Sequence, residues 1–270
     1  MEQRRRRRRR PPIDVYAAAL GVVFLMLLAL RLDHKAASRE DVPETPEGEA
    51  VQTFLPAQSE ETETFDPKQY PASLLALMER NPETESFVKA YPQKKNETPI
   101  IDLSEYAHCA EVPLLLQWDE RWGYTRYGSD FMAITGCGPT CLSMVAIYLT
   151  GDTSLDPRTI ADFAQQNEYS VHGSGGSWTL ISEGGPKLGL TVEEVPLDKN
   201  VLFHHLEKST PVIAIMGPGD FTDEGHFIVM TGLDDGKIII NDPNSPKRSR
   251  LSWSFEDIQD QILNLWACSK

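Results

Sequence analysis

The chain has 270 residues, with 26 Lys and Arg against 40 Asp and Glu, for a formal net charge of −14. Seven of the basic residues are Arg4 to Arg10, so the remainder is more acidic still. That argues against a nucleic-acid-binding surface on it, and against close approach to anionic lipid or an anionic wall polymer without cations between them.

Arg4 to Arg10 precede an apolar stretch, Val15 to Leu30. At about 1.5 Å per residue it makes about 24 Å of helix, and Ile13 and Leu32 extend it to about 30 Å, the thickness of a bilayer core. The reading is a basic cytoplasmic tail (1–12) and a transmembrane signal anchor (13–32), with everything after it outside the cell. A tract in that position is explained by topology rather than by nucleic acid. The alternative is a cleaved signal peptide and a secreted protein. The residues after Leu30 lack the small pair of a cleavage site, which favours a retained anchor.

Residues 33–66 turn to Glu, Pro, Thr and Ser, the composition of a disordered linker. A short helical lead-in follows (67–106). Ser73 to Met78 and Pro82 to Val88 read as two short helices parted by the Asn81-Pro82 break.

Residues 107–270 suffice for one core. The run Gly136-Cys137-Gly138-Pro139-Thr140-Cys141 puts a thiol on a glycine turn where an apolar helix begins, to run on through Thr150. Helices are expected from Pro157 to Asn167 with Asp156 as N-cap, from Trp178 to Leu188, and from Asp198 to Lys208. Strands are expected at Leu190 to Val195 and Val212 to Met216, then a hairpin turning at Asp234-Asp235-Gly236, and a last short helix from Phe255 to Ile262. Helices first and an antiparallel sheet later is an α+β layout.

The chemistry gathers on four residues. A helix N-terminus favours the thiolate of Cys137, the reactive form of cysteine. The hairpin sets His226, at the start of one arm, roughly opposite Asp242, near the end of the other. Asp242 can then orient the imidazole while His226 takes the thiol proton. Gln117, with the backbone N–H of Cys137, can hold a developing oxyanion. Cys141, one turn along, reads as a small buried hydrophobe. Zinc is disfavoured, because Cys109 and Cys268 are single and distant; no metal and no cofactor are expected. His204 and His205 read as ordinary surface or half-buried residues, and His172 as part of a flexible polar loop with Gly173 to Gly176. Trp118, Trp122, Trp178 and that loop would line a narrow cleft.

From about Val112 onward these motifs resemble the papain-like bacteriocin-processing peptidases, the double-glycine or C39-like family, in its stand-alone anchored form. The resemblance rests on Gln117 in Leu-Gln-Trp-Asp, Cys137 in Gly-Cys-Gly-Pro-Thr, His226 in Gly-His-Phe and Asp242 in Asn-Asp-Pro. It implies a papain-like fold with Cys137 as nucleophile, His226 as base, Asp242 as orienting acid and Gln117 in the oxyanion hole. The Asn-Pro-Glu-Thr-x-x-Phe-Val lead-in is similar to that before stand-alone members. The expected protein is an extracellular, membrane-anchored cysteine peptidase with a peptide or protein substrate and no nucleic-acid partner. A noncatalytic peptide- or wall-binding module, or a peptidoglycan amide hydrolase, is the alternative. If Cys137 stays free, at most one disulfide can form; Cys109–Cys268 is the expected pair and Cys137–Cys141 its rival.

Overall fold

A computed structural model of the chain describes residues 65–171 and 175–270. The basic tail, the anchor expected at 13–32 and nearly all of the acidic linker lie outside the described residues. Among the described residues no helix is long and apolar enough to cross a membrane.

The lead-in forms α1 (Ala72–Arg80) and α2 (Glu85–Lys94). Between them Asn81 accepts from the N–H of Glu83 and caps a single 3-10 turn, Pro82–Thr84, in which the proline occupies the first position where no donor is needed. Leu74, Leu77, Phe87 and Val88 bury their side chains with Phe131 and Ala133 of the main domain.

The helix that begins at Cys137, α3 (Cys137–Thr150), is buried from Gly138 to Ile147. A helix apolar on every side belongs inside a domain rather than on its surface. Leu142, Met144, Val145 and Ile147 are wholly inaccessible, and each contributes at most about 1.5–3 kcal/mol of burial. Gly151, at φ 74°, ends the helix in the left-handed conformation that suits glycine. Next, α4 (Pro157–Gln166) begins at Asp156, whose carboxylate accepts from the N–H groups of Arg158 and Thr159, as expected.

The rest of the chain builds one antiparallel six-stranded sheet. In chain order its parts are β1 (Thr191–Glu194), the covering helix α5 (Lys199–Glu207), β2 (Val212–Met216), β3 (His226–Asp234), β4 (Lys237–Asn241), β5 (Ser252–Trp253) and β6 (Ile262–Ser269). The spatial order is β1-β6-β2-β3-β4-β5. Ile213, Ile215, Phe227 and Val229 face α3, while Val212, Ala214, Met216, Ile228 and Met230 pack on the other side with Leu202 and Leu206 of α5. The fold is α+β with its antiparallel sheet late in the chain, as the sequence predicts.

The ladder between β3 and β4 is irregular. Met230 opposes Ile240 and Gly232 opposes Ile239, so Thr231 is an extra residue on one side, a β-bulge.

Three expectations need correction. The helix expected over 178–188 is a π-helical segment, Leu180–Gly184, followed by one turn, Gly185–Lys187. Pro186 has no N–H to continue the regular ladder. The helix expected to reach Ile262 is one α turn, Phe255–Ile258, and one 3-10 turn, Gln259–Gln261; Ile262 then opens β6, a strand the sequence reading lacks. β6 lies between β1 and β2 and buries Leu265, Trp266, Ala267 and Cys268 in succession, so period-two alternation is missing there. Finally, all four cysteines are free, so neither the Cys109–Cys268 pair nor its rival is formed.

Candidate active site

Cys137 is the first residue of α3, where the N–H groups of the opening turn lack partners inside the helix. Glycine is needed just before it: a Cβ on Gly136 would lie 2.5 Å from the carbonyl oxygen of Met132. The α3 terminus meets the start of β3, so the half-buried thiol faces the imidazole of His226.

Across the hairpin, Val229 opposes Asn241. One step further Asp242 is level with Ile228, two residues from His226 on the neighbouring strand. That diagonal is within reach of long side chains. His226 Nε2 lies 2.7 Å from Asp242 Oδ1, which leaves Nδ1 as the nitrogen available to the thiol.

Asp242 is wholly buried. Its Oδ1 also accepts from the N–H of Asn244 at 2.8 Å, and Arg248 Nε donates to Oδ2 at 2.5 Å. Every one of these partners stabilises the ionised form. Burial alone pushes this carboxyl up, but the neighbouring His226 and Arg248 outweigh it and hold the group below the usual carboxylate range.

The imidazole and thiol respond together. Burial disfavours a charged His226, yet the charge and hydrogen bond of Asp242, with Cys137 on the other side, push it up to about 10. Burial raises the Cys137 thiol too. The hydrogen bond and charge of His226, with the N–H groups of Phe227 and Gly138, reverse that and bring it below the ordinary thiol value. The arrangement favours a thiolate beside an imidazolium, one proton held between two groups. Cys141 carries the opposite signature. It is wholly buried and burial drives its thiol well above the ordinary value, which fits the small-hydrophobe reading.

Gln117 reaches the same site with a difference. It is 2% exposed, and its Nε2 donates to the carbonyls of Ala133 at 2.8 Å and Ile134 at 3.3 Å, while Oε1 has no partner. The amide therefore braces the segment leading into Cys137; to donate to an oxyanion it must turn away from the Ala133 carbonyl.

A cavity of about 460 Å³ opens over these groups. Gln117, Cys137, His226 and Arg248 line it, with the Gly219 to Gly225 loop on one side and Leu77, Arg80 and Asn81 of the lead-in on the other. The expected tryptophan walls are elsewhere: Trp122 is buried in the core, Trp178 packs edge-on against Trp266, and Trp118 donates to the carbonyl of Asn244. Among the described residues no group of three or more His, Cys, Asp or Glu is placed to share a metal ion. Sequence reasoning missed Arg248 and Asn244. The only signal was a Lys-Arg-Ser-Arg cluster beginning five residues after Asp242, with nothing to say which cation turns inward.

Residues 109–268 match the model of the Peptidase_C39 like family. Several solved structures are similar, among them the following three. The peptidase domain of Streptococcus ComA, a bi-functional ABC transporter involved in a quorum sensing pathway, is 22% identical over 50% of this chain and 91% of its own, with a TM-score of 0.39. A putative C39-like peptidase from Bacillus anthracis is 17% identical over 62% of this chain and 96% of its own, at 0.42. The peptidase domain of Streptococcus mutans ComA, in complex with a small-molecule inhibitor, is 21% identical over 54% of this chain and 100% of its own, at 0.35. No curated protein matches. With the family model spanning more than half of the chain and enclosing Gln117, Cys137, His226 and Asp242, the protein belongs to the Peptidase_C39 like family.

Proposed function

We propose that the protein hydrolyses peptide bonds with Cys137 as nucleophile, His226 as acid and base, and Asp242 as the group that orients and charges the imidazole. The observation that carries this reading is the continuous contact from a helix-terminal thiol through His226 to a buried, ionised Asp242. The Cys137 thiolate attacks the scissile carbonyl carbon, and the His226 imidazolium gives its proton to the leaving amine, which departs as an acyl-thioenzyme forms. His226, now neutral, takes a proton from water. The resulting hydroxide attacks the thioester, and the thiolate leaves beside a restored imidazolium. The oxyanion of each tetrahedral intermediate is held by the Cys137 N–H and by the Gln117 amide once it has turned.

The N-terminal quarter completes the proposal. Residues 1–12 form the cytoplasmic tail, 13–32 anchor the chain in the cell membrane and 33–66 tether the domain outside, where a peptide or protein substrate is met.

The test is alkylation of the full-length chain with iodoacetamide across pH, the labelled residue being read by mass. Rapid labelling at Cys137 that persists below pH 7 and vanishes in His226→Ala supports the thiolate–imidazolium pair. A profile following an ordinary thiol near 8.5 would sink it.

A further inference from the structure

The lead-in lies outside the residues that match the family, yet it touches the segment that carries Asp242. After Asp242 the chain runs through Asn244 and Ser245 into one helical turn, Pro246–Ser249, whose third residue is Arg248. The main domain holds this segment from one side: Gln117 N donates to the carbonyl of Pro243 and Trp118 Nε1 to that of Asn244. The lead-in holds it from the other. Asn81 Nδ2 donates to the Asn244 carbonyl at 2.7 Å and to its side-chain oxygen at 3.2 Å. One carboxylate oxygen of Glu83 accepts from the hydroxyl of Ser245, which is 3% exposed, and the other accepts from the N–H of Lys247 at 2.9 Å.

The Asn244 contact is one hydrogen bond away from Asp242 and the Ser245 contact two. The Asn244 held by Asn81 donates its N–H to Asp242 Oδ1, and the Ser245 hydroxyl held by Glu83 accepts from the N–H of Arg248, whose Nε donates to Oδ2. Asn81 also sits in the cavity wall with Leu77 and Arg80. We propose that Asn81 and Glu83 are positioning residues of the active site: they clamp the Asn244–Arg248 turn so that both oxygens of Asp242 are occupied and its grip on His226 is fixed. This rests on the peptidase reading above. The domain of residues 107–270 is then catalytically incomplete without its lead-in.

Two substitutions separate positioning from folding. Asn81→Asp keeps the oxygen that caps the Glu83 turn and replaces the donor to Asn244 with an acceptor; Glu83→Gln keeps the shape and removes one acceptor and the charge. Glu85→Ala, which removes only an exposed ion pair with Lys89, is the control. In the full-length chain the pH profile of iodoacetamide labelling at Cys137 is compared, with a thermal melt of each variant. Asn81→Asp and Glu83→Gln are expected to melt cooperatively and to label about tenfold more slowly at pH 6, a shift of one pH unit in the thiolate profile, while Glu85→Ala follows wild type. Lowered melting temperatures with an unchanged profile would overturn the inference and leave the triad standing. An ordinary thiol profile in the wild type itself would remove the peptidase reading and this inference with it.

Discussion

Arg248 and His226 share one carboxylate: Arg248 Nε donates to Asp242 Oδ2 while His226 Nε2 meets Oδ1. Asp242 has no exposed surface, so its charge is balanced by these two cations and the Asn244 N–H alone. Removing Arg248 leaves the carboxylate short of a partner in a place water does not reach. Arg248→Ala is expected to destabilise the domain by about 2–3 kcal/mol, less than the about 3–5 kcal/mol that breaking a fully buried ion pair costs, because the arginine side chain is itself 25% exposed. Urea denaturation of the two proteins measures it; a loss within about 0.5 kcal/mol, the level of an ordinary surface substitution, would refute the claim.

The shared proton makes a distinctive prediction for stability against pH. Between about pH 6.5 and 8.5 the unfolded chain holds its proton on the thiol and the folded chain holds it on His226, so the pair adds no slope. Above about 8.5 the unfolded thiol releases its proton while folded His226 keeps one up to about 10, and stability falls. In Cys137→Ala the histidine is still raised by Asp242. Its contribution is complete below about 6.5 and is lost as pH rises through the folded value, so the decline should begin about two units earlier than in wild type. Melting temperatures from pH 6 to 10 show the onset, and an identical onset in both proteins contradicts it.

Gln117 is expected to separate binding of the oxyanion from reactivity of the thiol. Gln117→Ala should lower kcat on a cleaved peptide by about 10²-fold while iodoacetamide labelling of Cys137 keeps its pH profile, because alkylation forms no tetrahedral oxyanion. If labelling falls as far as turnover, the residue acts instead by bracing the Ala133–Ile134 carbonyls.

The free cysteines give a plain chemical expectation. Unfolding without reductant and treating with excess alkylating reagent should add four labels per chain. In the folded protein Cys141 and Cys268 should resist, being wholly buried with thiols raised by that burial. Two labels from the unfolded chain would restore a disulfide.

Much of the site was legible because its signals are local. A thiol between two glycines ahead of an apolar helix, and a hairpin whose arms begin with His226 and end beside Asp242, each declare themselves within a short window. The α+β order followed from the same kind of evidence. What stayed hidden was long-range or lacked a period. β6 is buried along consecutive residues and so does not alternate. The clamp joins Glu83 to Ser245 and Lys247 across more than 160 positions, and no local pattern announces such pairings. Gln117 lines the same cavity as Cys137 and His226, but the sequence could not show that its donors are already committed to Ala133 and Ile134.

The bulge at Thr231 has a consequence for how this protein can misfold. β4 carries Ile238, Ile239 and Ile240 in succession, with Ile239 half-buried between two buried neighbours, so a slip of one residue would exchange one isoleucine for another. Hydrophobicity therefore discriminates poorly between the two alignments. If Thr231 were taken into a regular ladder counted from the Asp234–Lys237 pair, Asp242 would oppose Val229 and leave the sheet on the side away from His226. The correct alignment is selected by polar groups instead, by Asn241 donating to the carbonyl of Val112 at 2.8 Å and by Asp242 finding its partners. A misaligned hairpin would thus be a kinetic trap that retains most of its burial and none of its chemistry, and melting temperature alone would be a poor guide to how much of a preparation is competent.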